Sequence, residues 1–131
     1  MLIGLRNGMA ASKKKSPYWG LCFTAEQANS TVGIGKNGSA PSLTLEYSTD
    51  ARNWQTFIAG STNVTLSNVG DKVWLRAGTG GNERFSFNSS SYNRFVLAGK
   101  VAASGSVMSL LNGSIQLSTI PTANCFERLF F

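Results

Sequence analysis

The chain has no histidine and only two cysteines among its 131 residues. Without histidine there is no Ser-His-Asp triad, and the commonest general base is missing. Cys22 and Cys125 cannot complete a structural zinc site without help from carboxylates. Acids are scarce as well: Glu26, Glu46, Asp50, Asp71, Glu83 and Glu127. A glycosidase needs two facing carboxyl groups, and the spacing pairs no two of these six. Asp50 and Asp71 sit in turn-like sequence. We therefore read the chain as non-enzymatic, with no metal and no cofactor. Long apolar runs are also missing. No stretch approaches the roughly 20 residues of a membrane helix. Arg6, Asn7 and the lysines break any signal-peptide core near the start. These features lead us to expect synthesis in a reducing cytoplasm, with both thiols free and buried. A disulfide joining the two ends of the domain is the other arrangement the positions allow.

Charge is low and uneven. The net charge is +6, and Arg6, Lys13, Lys14 and Lys15, with no acid among them, place +4 of it in residues 1–20. Only that segment is basic, and no aromatics interleave with its lysines, so nucleic acid is a poor partner. Met1–Ser16 reads as an arm. Its tip carries Met1, Leu2, Ile3, Leu5 and Met9, while Gly4 and Gly8 weaken any helix there. A solubilising tail has no need of the apolar group, and neither has a phosphate-binding one. Together with Arg6, the apolar tip and the Lys13–Lys15 cluster suit insertion into a groove on a partner with an acidic rim. A frayed tail is the plainer reading of the same residues.

Strand signals fill the body. Leu43, Leu45 and Tyr47 alternate with Thr44, Glu46 and Ser48, the period of a half-buried strand. Thr49, Asp50, Arg52 and Asn53 then supply turn chemistry, and Trp54 and Phe57 open a return strand. Further strands are read at 19–24, 31–34, 64–66, 73–77, 84–88, 94–97 and 100–103. The segments 64–66 and 73–77 are read as a pair across the Asn68–Asp71 turn. Residues 107–111 and 115–117 flank Asn112-Gly113, a type I′ hairpin signal. The fold class expected is all-β, an antiparallel β-sandwich with an N-terminal arm (1–17), a body (18–117) and a short C-terminal helix (118–131). The helix is read from Phe126, Leu129 and Phe130 at i, i+3, i+4, with Thr122 or Asn124 as its cap. The expected core is Leu21, Phe23, Val32, Leu43, Leu45, Tyr47, Phe57, Leu66, Val73, Leu75, Phe85, Phe87, Phe95, Leu97 and Val101.

Several motifs invite functional readings. Gly33-Ile-Gly35-Lys-Asn-Gly38 matches G-x-G-x-x-G, but an alternating strand follows where a dinucleotide loop needs a helix, so we read a glycine-rich turn. Ser48-Thr-Asp50-Ala-Arg52-Asn-Trp54 is similar to the Asp-box of sialidase-type propellers, where the Asp caps a hairpin turn and the Trp packs beneath it. It is one residue short, has Arg52 in place of glycine and occurs once, and the motif is structural even in enzymes. If Val73, Leu75 and Ala77 face the core, Trp74 and Arg76 face outward together, a pair suited to an interface or a glycan. Five Asn-x-Ser/Thr sequons, at Asn29, Asn37, Asn63, Asn88 and Asn112, follow from a composition rich in these residues.

Four segments carry a family resemblance: CFTAEQANSTV from Cys22, LEYSTD from Leu45, NVGDKVW from Asn68 and ASGSVMSLL from Ala103. Through them the body resembles a β-rich N-terminal module of large surface and virion-associated proteins of gut bacteria and their phages. Residues 118–131 resemble the start of BspA-like leucine-rich repeats, where an Ile-Pro segment leads to a Cys-Phe-x-x-Leu-Phe turn. MLIGLRNGM at the start resembles the short leader by which phage fibre-type proteins are anchored to a particle. The resemblance implies a virion component, fibre or decoration, made in the host cytoplasm without a signal peptide. It implies a homo-oligomer held to other virion or surface proteins by its arm. The alternative class is a glycan- or receptor-binding adhesin module at a bacterial cell surface.

Overall fold

A computed structural model of the chain describes residues 20–113, 117 and 119–130. Among these residues eight strands form two antiparallel sheets. In chain order they are β1 (Leu21–Ala25), β2 (Ser30–Asn37), β3 (Leu45–Ser48), β4 (Gln55–Phe57), β5 (Asn63–Leu66), β6 (Lys72–Ala77), β7 (Tyr92–Ala98) and β8 (Val101–Ser104). One sheet has the order β4-β3-β6-β1-β8, the other β5-β2-β7. The all-β sandwich expected from alternation is the architecture observed. The β3–β4 hairpin forms with Leu45 opposite Phe57 and Tyr47 opposite Gln55.

Two layers face each other because each strand has one apolar row. From the larger sheet come Leu21, Phe23, Ala25, Leu45, Phe57, Val73 and Leu75; from the smaller come Val32, Ile34, Val64, Leu66 and Phe95. Phe23 meets Phe95 edge to face across the gap, with ring centroids 4.9 Å apart. Phe85 stacks on the far side of Phe95 at 5.8 Å. Phe126 and Phe130, from the chain's last described segment, extend the cluster to Phe85 and Phe95.

Segments without regular structure are pinned by side chains. The amide of buried Asn93 donates to the carbonyls of Pro41 and Phe85, at 3.0 and 2.8 Å. Asn82 closes a two-way pair with the backbone of Thr44 and also donates to the Leu110 carbonyl. Ser109 accepts from the Leu21 N–H at 2.9 Å and donates to the Leu75 carbonyl at 3.0 Å. A chain short of charged residues thus satisfies its irregular backbone with amides and hydroxyls.

Several local expectations give way to tertiary packing. Residues 64–66 and 73–77 do not pair with each other. β5 joins β2 in one sheet, and β6 lies between β3 and β1 in the other. The Asn68–Asp71 turn therefore connects layers. Residues 84–88 make only an isolated bridge, Ser86 to Tyr92, so Phe85 is buried while Phe87 is 42% exposed beside Arg84. Leu97 faces inward by register but is 40% exposed, because it lies on an edge strand. Leu43, Tyr47 and Val101 are only partly buried. Residues 107–110 form a 3₁₀ turn capped by the Ser106 hydroxyl rather than a strand. Gly113, of the Asn112-Gly113 pair, lies against the Ala77 carbonyl, where a Cβ would collide. Residues 115 and 116 lie outside the described residues. Gly33 and Gly35 are inside β2, and only Gly38 is in a turn. At Gly33 a Cβ would come within 2.8 Å of Asn63 Oδ1, so the residue serves close strand packing.

The C-terminal segment is a run of turns, not the helix expected. Asn124 and Arg128 have φ of 58° and 56°, which a right-handed helix excludes. Its hydrogen bonds go elsewhere: Phe85 and Ser86 N–H donate to the Cys125 carbonyl, and Phe95 N–H donates to that of Leu129 at 2.8 Å. The 3,4 spacing of aromatics is real, but docking along β7 outweighs helix hydrogen bonding. Cys22 and Cys125 are free and buried.

Phe95→Ala removes the ring that bridges Phe23, Phe85 and Phe130. It should cost about 3–5 kcal/mol of stability, read as a lower urea midpoint at unchanged slope.

Candidate functional site

The outer face of the five-stranded sheet carries the densest cluster of chemically distinctive side chains. Alternation along β6 buries Val73, Leu75 and Ala77 and sends Lys72, Trp74 and Arg76 outward. Trp74 and Arg76 share a face, as the spacing predicts. Antiparallel register then places Glu46 of β3 opposite Arg76, and Ser48 opposite Trp74. Cys22 of β1 flanks Trp74 on the other side.

Arg76 is not a free cation. Its Nε is ion-paired with Glu46 Oε1, and its guanidinium carbon lies 3.7 Å from the centre of the Trp54 ring. A Cβ at Gly113 would come within 3.3 Å of the aliphatic stem of Arg76. The stack and the ion pair satisfy opposite parts of one guanidinium: the ring takes a face, the carboxylate an edge. Trp54 thus joins a site that the sequence assigned to Trp74 and Arg76 alone. The signal was present in the Asp-box likeness, which puts a Trp just after the capped turn. The pairing of β3 with β6 was needed to bring that Trp to Arg76.

The turn before Trp54 is built on Asp50. Its Oδ1 accepts from Ser48 Oγ and from the N–H groups of Arg52 and Asn53, each at 2.8 Å. Oδ2 accepts from Asn53 Nδ2 at 2.7 Å. Ala51 takes a left-handed φ of 63° inside this turn. The Asn53 and Arg52 amides, then the Ser48 hydroxyl, hold the Asp50 carboxyl well below the usual carboxylate range. The capping role predicted for this Asp is therefore the role it has, and its oxygens are committed to the hairpin.

Beside this cluster a surface groove of about 410 Å³ is lined by Thr44, Glu46, Thr56, Ile58 and Thr79. A second, of about 580 Å³, is lined by Asn82, Glu83, Leu117 and Pro121. Among the described residues, no three His, Cys, Asp or Glu side chains converge. Met1, Leu2, Ile3, Leu5, Arg6, Met9, Lys13, Lys14 and Lys15, the arm residues assigned to partner binding, lie outside the described residues. The chain matches no known protein-family model, no curated protein and no solved structure.

Two measurements probe this face. Asp50 has a folded pKa below its unfolded value, so its contribution to stability is complete above about pH 5 and is lost as the pH falls through the acid range. Asp50→Ala should destabilise the protein at pH 7, and its unfolding midpoint should fall less steeply than that of the parent below about pH 4. Arg76→Ala should cost about 1–2 kcal/mol and shift the Trp54 fluorescence, since ring and carboxylate both lose their partner.

Proposed function

We propose that this protein is a non-enzymatic structural component of a phage virion, a fibre or decoration protein, held in place by its N-terminal arm and assembled with copies of itself. The observation that carries this reading is where the molecule spends its aromatic and apolar surface. A sugar-binding module presents an open aromatic platform. Here Arg76 occupies a face of Trp54 and is itself tied to Glu46, so that cluster is closed upon itself. Large apolar side chains are exposed at several places, among them Leu97 of β7 and Phe130 of the C-terminal segment. Surface of that kind suits protein–protein assembly. The likeness of four body segments to virion-associated modules points the same way. The adhesin reading rests on Trp74 and the neighbouring groove alone.

Multi-angle light scattering on the full chain, run beside a glycan array, separates the two classes. The assembly reading expects a defined oligomer and no glycan signal. A monomer that binds a sugar tightly overturns it in favour of the adhesin.

A further inference from the structure

β8 is the least protected edge among the described strands. Val101-Ala102-Ala103-Ser104 has no charge and no proline, and its last three residues are exposed. Natural sheets guard such edges with charges, prolines, bulges or a covering segment. The other three edges differ. β4 is only three residues long. β5 is as short and uncharged as β8, but its apolar Val64 and Leu66 are buried, so no exposed apolar row lies beside it. β7 is covered along its first half, by Ser86 bridging to Tyr92 and by the Leu129 carbonyl on the Phe95 N–H.

Beside the β8 edge the sandwich is open. Register places Val101 and Ala103 on the inner face, opposite Ala25 and Phe23. Across the gap lies Leu97 at 40% exposure, and between the sheets lies Phe130 at 54%, with its ring against Phe23 and Phe95. Among the described residues no strand pairs with the outer edge of β8, which runs along this apolar slot.

Nineteen residues precede Gly20, where the described chain begins. Gly20 lies at the foot of this slot, for a Cβ on Gly105, the residue after β8, would collide with the Gly20 carbonyl. Connection topology nevertheless disfavours filling it from within the same chain. After β8 the chain turns under β1 toward β6, and Ser109 is bonded to Leu21 and Leu75 on the way. An arm reaching its own β8 from Gly20 would cross that connection at the same end of the sheet, an arrangement that sheets avoid. Nineteen extended residues span about 60 Å, enough to reach a neighbour.

We propose that the arm of one copy, residues 1–16, adds as a strand along the β8 edge of a second copy, with its Met1–Met9 side chains entering the slot among Leu97, Val101, Ala103 and Phe130. This rests on the assembly reading above and names its interface. Main-chain bonds to β8 supply affinity and the apolar slot supplies register, as in other strand additions.

The test uses full-length chains. One preparation carries Ala103→Cys; others carry Ile3→Cys, Leu5→Cys or Met9→Cys. The natural thiols are buried, so surface oxidation of a mixture reports the new pair. Expected is a disulfide-linked heterodimer for at least one arm position, and a shift to monomer by light scattering for Ala103→Lys with an unchanged circular dichroism spectrum. An oligomer that persists in Ala103→Lys and gives no heterodimer at any position overturns this interface but leaves assembly standing. An internal disulfide in a chain carrying both Leu5→Cys and Ala103→Cys, with no heterodimer in the mixture, assigns the slot to the chain's own arm and overturns exchange. A monomeric parent chain overturns both readings.

Discussion

The contact of Phe23 with Phe95 is the constraint on which the rest of the molecule depends. Phe23 belongs to β1, the strand between β6 and β8; Phe95 belongs to β7 in the opposite sheet. Rings of this size bury roughly 150–250 Å² each, and this pair joins the two layers. Phe85, Phe126 and Phe130 gather around it. Serving that cluster explains the shape of the C-terminal segment. To bring Phe126, Leu129 and Phe130 onto the core while giving the Leu129 carbonyl to Phe95, the chain takes left-handed turns at Asn124 and Arg128. A helix would satisfy its own backbone and leave the β7 edge bare.

A composition poor in charge leaves its mark on the loops. Asn82, Asn93 and Asp50 each bond several backbone groups that belong to no sheet, and Ser109 ties the Ser106 carbonyl to Leu21 and Leu75 of the larger sheet. Small polar side chains do at short range what ion pairs cannot: they offer donors and acceptors without the penalty of burying charge. The ion pair of Arg76 with Glu46 is supported on its apolar face by Trp54.

The two ends of the larger sheet differ. At the β3–β4 end the chain is closed by the Asp50 hairpin. At the β8 end, which faces β7 and the C-terminal segment, β8 has no strand partner on its outer side among the described residues, and Leu97 and Phe130 are exposed. An isolated domain gains nothing from such an edge, whereas an assembling one can add a strand there. The aromatic–arginine cluster, by contrast, is already satisfied within the molecule.

Much of this was legible in the residues. Alternation at Leu43–Ser48 and Val73–Ala77 determined which side chains face inward, because the strand period leaves only two faces. The Ser48–Trp54 segment determined its own turn, because an Asp followed by Asn and Trp caps a hairpin through contacts within four residues. The absence of histidine bounded the chemistry without any structure. What lay beyond local reading was partnership. Residues 64–66 and 73–77 are near in sequence but belong to opposite sheets, and no local signal distinguishes a turn within a sheet from one between sheets. Phe87 and Leu97 alternate correctly, yet are exposed because their positions lie at a margin that only the assembled layers define. The 3,4 spacing of Phe126, Leu129 and Phe130 specifies apolar contact but not helix, since β7 offered their backbone a better set of partners. Trp54 met Arg76 only because β3 and β6 pair across the sheet. Local periodicity determined the faces; long-range pairing, which depends on how the two layers close over Phe23 and Phe95, decided the neighbours.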